Sequence, residues 1–355
     1  MRRPIEANTF ESTAQRAQTL FRPETLTDEF DATLREQVDT FHSDSERFRA
    51  LETLPSGAAE DIVVLNAYME YRRREINDGL ADDVDAVAND PDEAAILREY
   101  IEGGERFAGV LTYIAGEVFG TPEADHRRQA VIAELVMNSF LITDDVLDGH
   151  MERRGSDSIW YRMEQEYGFE DTAPFGIANL YQNKLVQRAY QLAEGEEIQH
   201  IAEPVNTAAT GALTEAIHRN EGVDYLTHEE WRQFSEEVSS GLQISFLLPA
   251  VNHADVHAAA DLGRSFGLFE QTVDNAVDGQ LPASMDAETE LLRNAQLVLA
   301  ATQQVDADTE LFDIVLPWFL YMYFYTHPES DIDPEFLYTA DFDVYEDRTE
   351  RYRRA

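Results

Sequence analysis

Apolar residues recur every three or four positions along nearly the whole chain, and alternating β-branched stretches are missing. The breaks fall at Pro55-Ser-Gly57, Asn89-Asp-Pro91, Gly120-Thr-Pro122, Gly168, Gly195, Glu221-Gly222, Gly279 to Pro282 and His327-Pro328. Between them lie helical segments, about a dozen with short connections, which predicts an all-α protein. No internal repeat interrupts the pattern. Residues 1–90 are richer in charge and poorer in core formers; helices are expected over 24–52 and 57–80, with Ala81–Asp90 as a linker. Residues 91–330 become strongly apolar and mark the main helical bundle, and 331–355 form an acidic C-terminal tail.

One helix breaks the rule that an apolar face meets the core and a charged face meets water. Val131, Ile132, Leu135, Val136, Met137, Phe140, Leu141 and Ile142 surround it with apolar side chains, so it reads as buried. It then presents Asp144, Asp145 and Asp148, the first and last one turn apart on one face. Buried carboxylates without partners are costly, and a divalent cation is the usual remedy. A second helix repeats the motif, with Asp274 and Asp278 at i, i+4 after Gly267 and Gln271. Two helices with aspartate faces can clamp Mg²⁺ ions, which bind a diphosphate and neutralise it as a leaving group. Arg153 and Arg154, just past the first cluster, suit phosphate oxygens.

Composition adjusts this picture. The chain carries 70 acidic and 27 basic residues, a net charge of −43, and a single lysine, Lys184. Such a surface suits a high-salt cytoplasm, where screening makes self-repulsion tolerable. It argues against binding nucleic acid or anionic membranes. It also weakens any acidic motif taken alone, since roughly three acidic-acidic-x-x-acidic matches are expected by chance. Glu346-Asp347-x-x-Glu350 is such a match and reads as a solvated face. Cysteine is absent, which excludes disulfides and thiolate chemistry. The opening residues lack the apolar core of a signal peptide. The apolar run Ile314–Tyr325 is too short for a bilayer and contains Pro317, so it is expected as a core helix, and the protein as soluble and cytoplasmic with no stable membrane insertion.

Asp144-Asp145-Val-Leu-Asp148 followed by Arg153-Arg154-Gly155, with Gly267-x3-Gln271-x2-Asp274-x3-Asp278 downstream, resembles the trans-isoprenyl diphosphate synthases, the polyprenyl synthetase family. Gly103-Gly104-Glu105-Arg106 and Glu134-Leu135 fall where that family has corresponding features, so the resemblance covers about 95–282. It implies an isoprenoid-synthase-like helical bundle around a central cavity, usually a homodimer, here a homodimer or a heteromer with a second prenyl synthase. It implies Mg²⁺-assisted ionisation of an allylic prenyl diphosphate, then attack by isopentenyl diphosphate. Asp144, Asp145, Asp148, Asp274 and Asp278 become the metal ligands and catalytic carboxylates, Arg153, Arg154 and Gln271 the diphosphate contacts, and Phe140 the floor of the chain-length pocket.

The departures from the family pattern are selective. Glu105 replaces a lysine, Ala108 an arginine and Met137 a histidine, the three groups that form the isopentenyl diphosphate pocket. Ser239-Ser240 replaces a lysine-threonine pair, and Asn275 an aspartate. The metal clusters remain while the second cationic grip is stripped. Three readings follow: an elongating prenyltransferase, a terpene-synthase-like enzyme acting on one prenyl diphosphate, or a non-catalytic partner of a prenyl synthase. His253 and His257, at i, i+4, read as a helix-surface pair, and the aromatic residues of 317–325 as core packing.

Overall fold

The computed structural model describes residues 10–43, 58–221, 227–277, 279–307, 310–312, 314–316 and 318–319. Asp278, the 331–355 tail and most of the 317–325 aromatic run lie outside them. The helices are α1 (Phe10–Leu20), α2 (Asp28–Ser43), α3 (Ala58–Val87), α4 (Pro91–Ile101), α5 (Phe107–Phe119) and α6 (Glu123–Asp148). After a two-residue hairpin, β1 (Glu152–Arg153) and β2 (Ser156–Asp157), come α7 (Ile159–Gln165), α8 (Ala173–Leu192), α9 (Glu197–Glu221) and α10 (His228–Val238). A 3₁₀ segment (Ser239–Gln243) leads into α11 (Ile244–Ala250), followed by α12 (Val256–Val277) and α13 (Ala287–Thr302). The class is all-α, as the periodicity predicts.

α6 is the centre of the bundle. Its middle, Ala130 to Val136, is buried without interruption, and α5, α8 and α3 pack around it. α5 is enclosed as fully, from Ala108 to Glu117, and α12 lies against α13 and the 3₁₀ segment. Gly120 and Gly149 end α5 and α6 with φ of 68° and 69°, a left-handed conformation that glycine adopts without the Cβ penalty.

The stretch expected as a linker, 81–90, is helical up to Val87. Leu80 and Val84 are buried and Val87 is partly buried, so the i, i+4, i+7 apolar row continues beneath the acidic residues. Those acids are used: Asp83 takes two hydrogen bonds from Arg188, and Asp85 pairs with Arg98. Lys184 donates to Val87 O at 3.3 Å and pairs with Glu93. The break itself is a helix start, where Asp90 caps the amides of Asp92 and Glu93 at 3.0 and 2.9 Å and Pro91 opens α4.

One apolar cluster runs from Ala17 to Phe319. Phe21 stacks on Tyr68 at 4.3 Å, and Phe319 meets Phe266 and Phe269 at 5.8 and 5.9 Å. Trp318 donates its indole N–H to Asn66 at 2.7 Å. The described aromatic residues of the late apolar run therefore do pack into the core. His253 lies in the turn before α12, its Nδ1 accepting from the Asp255 amide at 3.2 Å, so it shares no helix face with His257.

Candidate active site

The C-terminal turns of α6 place Asp144, Asp145 and Asp148 at the rim of the bundle. Asp145 is buried, while Asp144 and Asp148 are partly exposed. Past the Gly149 stop the chain reverses through the β1–β2 hairpin, paired Glu152 to Asp157 and Arg153 to Ser156. Its two-residue turn is Arg154-Gly155, with φ of 56° and 80°, the positive pair that matches the strand twist of a tight hairpin. Trp160 pins its base, donating to the carbonyls of Asp145 and His150 at 3.0 and 2.9 Å.

This reversal folds the two arginines back in different directions. Arg153 donates Nε to Asp145 Oδ1 at 2.7 Å and Nη2 to Asp144 Oδ2 at 2.9 Å, bridging the two aspartates. Tyr100 of α4 donates its hydroxyl to the other oxygen of Asp145 at 2.7 Å. Burial raises the Asp145 carboxyl above its ordinary range, against the pull of Arg153 and the Tyr100 hydroxyl. Arg154 instead reaches across to Asn138 Oδ1 at 3.1 Å and Ile101 O at 3.4 Å.

His150, Tyr100 and Glu215 are the neighbours that sequence reasoning did not single out. Donor atoms of Asp144, Asp145 and His150 lie within 4.8 Å of one another. Carboxylate oxygens are the donors Mg²⁺ takes, so the set fits a divalent cation. Glu215 of α9 faces the same place; burial, and next the Asp144 charge, push its carboxyl up to about 7. His150 follows Asp148 by two residues, a signal that proximity in sequence could have given. Glu215 carries no motif and is found only through the fold.

The second aspartate helix is positioned by small residues. A Cβ on Gly263 would lie 2.7 Å from Gln243 Cα, and one on Gly267 2.7 Å from Ser239 O, so α12 and the 3₁₀ segment touch backbone to backbone. Gln271 and Asp274 follow on α12, with Gln271 donating to Asn275 Oδ1 at 3.4 Å. Glu270 stands beside Asp274; burial and that charge push its carboxyl up to about 8. Ser239 and Ser240 donate to the carbonyls of Ser235 and Pro204 at 2.7 and 2.9 Å, so both hydroxyls are bound within the fold. Phe140, four residues before Asp144, is partly buried and its ring lies where a side chain on Gly241 would be. Met137, in the replaced histidine position, packs against the core.

A cavity of about 520 Å³ opens at the opposite end of α6, among Thr121, Arg128, Gln129, Glu197 and His253. Arg128 and Gln129 are both tied there to Glu197. Asp144, Asp145, Asp148 and Asp274 are not among its lining residues.

The model of the family described as polyprenyl synthetase matches residues 93–286, a span that includes both aspartate helices. No curated protein matches the chain. Among solved structures it is similar to an FPP/GFPP synthase from Zymomonas mobilis, at 18% identity and TM-score 0.58, over 72% of this chain and 98% of that one. A geranyltranstransferase from Thermotoga maritima is similar at 18% identity and TM-score 0.56, over 74% and 98%. A geranyltransferase from Legionella pneumophila is similar at 16% identity and TM-score 0.58, over 78% and 100%. At these identities the structural likeness establishes a common helical fold.

Proposed function

The chain belongs to the polyprenyl synthetase family, and we propose that it ionises an allylic prenyl diphosphate and extends the resulting cation with isopentenyl diphosphate. The observation that carries this reading is the meeting of Asp144, Asp145 and His150 with the Arg153 guanidinium at one rim of the bundle. Asp144, Asp145 and Asp148, with Asp274 of α12 and Asp278 beyond it in the sequence, are the residues that would hold Mg²⁺. When bound, the cation supplies charge neutralisation for a departing diphosphate.

The protein's own groups do the rest. Arg153 holds the two aspartates together as an internal counter-ion, and its guanidinium would offer a further N–H donor to a diphosphate oxygen. Gln271 adds a neutral donor from α12. The apolar interior below Phe140 shields the allylic cation from water and limits the length of chain it accepts. Residues 91–330 form the catalytic bundle in this reading, 1–90 an N-terminal part that braces it and 331–355 an acidic tail, in a cytoplasmic enzyme. α8 and α9 offer exposed Leu180, Leu213 and Ile217 to a second copy or to a second prenyl synthase.

A second reading, ionisation of a single prenyl diphosphate without elongation, is favoured by Ala108. That position is 4% exposed and packed in the core, so it offers no group to a second substrate. The test is an assay in molar KCl with Mg²⁺, offering geranyl, farnesyl and geranylgeranyl diphosphates with and without isopentenyl diphosphate. Longer products formed only with both substrates are the expected outcome. Diphosphate release from the allylic substrate alone, lost in Asp144→Ala, selects the second reading. No turnover by folded protein in any mixture selects a non-catalytic partner subunit.

A further inference from the structure

The cavity of about 520 Å³ at the N-terminal end of α6 plays no part in the chemistry described above. Fifteen residues of one helix, roughly 22 Å at 1.5 Å per residue, separate Gln129 on its wall from Asp144. The starts of α6 and α9 build its polar side. Glu197, in the first turn of α9, is 3% exposed and accepts from Arg128 Nη1 and Nη2 at 2.5 and 3.0 Å. It also accepts from Gln129 Nε2 and from the Glu194 amide, both at 2.8 Å. Against burial, these donors hold the Glu197 carboxyl below its ordinary range, so it stays charged. Arg128 reaches Leu192 O at 3.1 Å and Asp125 Oδ1 at 3.4 Å as well.

Donors are thus committed here, and acceptors are left over. Gln129 lines the cavity and is 2% exposed. Its amide nitrogen donates to Glu197 and, at 3.0 Å, to Leu248 O, two groups that only accept, which fixes the way the amide points. Its Oε1 is then buried without a donor. Glu194 and Glu196, in the α8–α9 connection, add exposed carboxylates, and neither is paired with a cation among the described residues. Four carboxylates line the cavity against one guanidinium. In a chain of net charge −43 an acidic lining alone would mean little; the orphaned Gln129 oxygen is the independent sign that a donor from outside the fold belongs here.

Size and the remaining wall narrow the ligand. One water takes about 30 Å³, so a bare inorganic ion would leave most of the space empty, whereas the volume falls in the range of pockets that take small molecules. Phe119, Pro249 and Val251 give the cavity an apolar side suited to methylene groups. We propose that this cavity binds an aliphatic di- or polyamine, its ammonium groups taken by Gln129 Oε1 and by the Glu194 and Glu196 carboxylates, and its methylenes by Phe119, Pro249 and Val251. Each ammonium brings three N–H donors and a positive charge, the two things the wall lacks.

The experiment is calorimetric titration of the full chain with 1,4-diaminobutane and with spermidine in 1 M KCl, where diffuse attraction to the net charge is screened to about 3 Å. One saturable site is expected, weakened about fivefold by Glu194→Gln and by Glu196→Gln, and about tenfold or more by Gln129→Met. Glu164→Gln, on the exposed face of α7 at the aspartate end of the bundle, is expected to leave it unchanged. Affinity in choline chloride of equal strength should agree within about twofold. If Gln129→Met does not fold, the two surface variants carry the test. Absence of saturable binding by the folded protein, or an equal loss in Glu164→Gln, overturns the proposal. Binding in choline chloride that KCl abolishes overturns it too, and gives the cavity to potassium.

Discussion

At Asp145 two side-chain donors meet one buried carboxylate: Arg153 on Oδ1 at 2.7 Å and Tyr100 on Oδ2 at 2.7 Å. A neutral amide of the same shape keeps the volume but loses the charge that a cation or a guanidinium needs. Asp145→Asn is therefore expected to fold, with an unchanged far-ultraviolet dichroism spectrum. It should slow diphosphate release about a hundredfold, roughly 2.7 kcal/mol of transition-state stabilisation. A rate within threefold of the parent would remove Asp145 from the chemistry. Much at this scale could be read from spacing, because three carboxylates at i, i+1 and i+4 after an apolar run share the end of one helix whatever surrounds them. The destinations of the arginines could not. Arg153 and Arg154 are neighbours in sequence, but the positive-φ turn at Arg154-Gly155 sends one to the aspartates and the other to Asn138. Tyr100 lies 45 residues upstream of its partner, where no local pattern marks it.

Helix α3 shows where reading by composition went astray and periodicity would have served. Its acidic end looks like a linker, yet Leu80 and Val84 keep the buried row going and Asp83 and Asp85 find arginines on α8 and α4. The N-terminal elements are tied in by a network that no spacing rule foretells. Glu117 of α5 is buried and accepts from Arg22 at 2.8 Å and from Thr25, both in the α1–α2 connection. Arg72 of α3, fully buried, donates to Glu75 and Glu123 at 2.7 Å and to Thr25 at 3.1 Å. Glu123, in the first turn of α6, also meets His126 at 3.2 Å. The neighbouring His126 imidazole and then Arg72 hold the Glu123 carboxyl down to about 2, against the opposing effect of burial. A depressed carboxyl stabilises the fold above its unfolded value and loses that contribution as pH falls towards the folded one. Unfolding free energy should thus decline between about pH 5 and pH 2, and Glu123→Gln should flatten the decline by ~1 kcal/mol, discounted for its exposure to solvent. Denaturant titrations of the two proteins across that range make the comparison, and parallel curves would detach Glu123 from acid stability.

Over the whole molecule, charge and core pull in opposite directions. A single apolar cluster from Ala17 to Phe319 holds the helices together, while 70 acidic against 27 basic residues spread a net −43 over the same body. Many of the described arginines are committed to carboxylates in pairs such as Arg128–Glu197, Arg188–Asp83 and Arg232–Glu290, so they cannot offset the excess. Self-repulsion at that density opposes the compact state, and its range is set by salt: about 10 Å at 0.1 M and about 3 Å at 1 M. The core contribution strengthens only modestly with KCl. Melting temperature should therefore climb steeply as KCl rises from 0.1 to 1 M and then level off, once the screening length is shorter than the spacing between carboxylates. Choline chloride at equal ionic strength should give a similar curve, since screening does not depend on which monovalent cation supplies it. Calorimetric scans in both salts separate the causes. A rise with KCl alone would point to bound potassium rather than screening, and a flat response in both would mean that the excess charge is already neutralised within the fold.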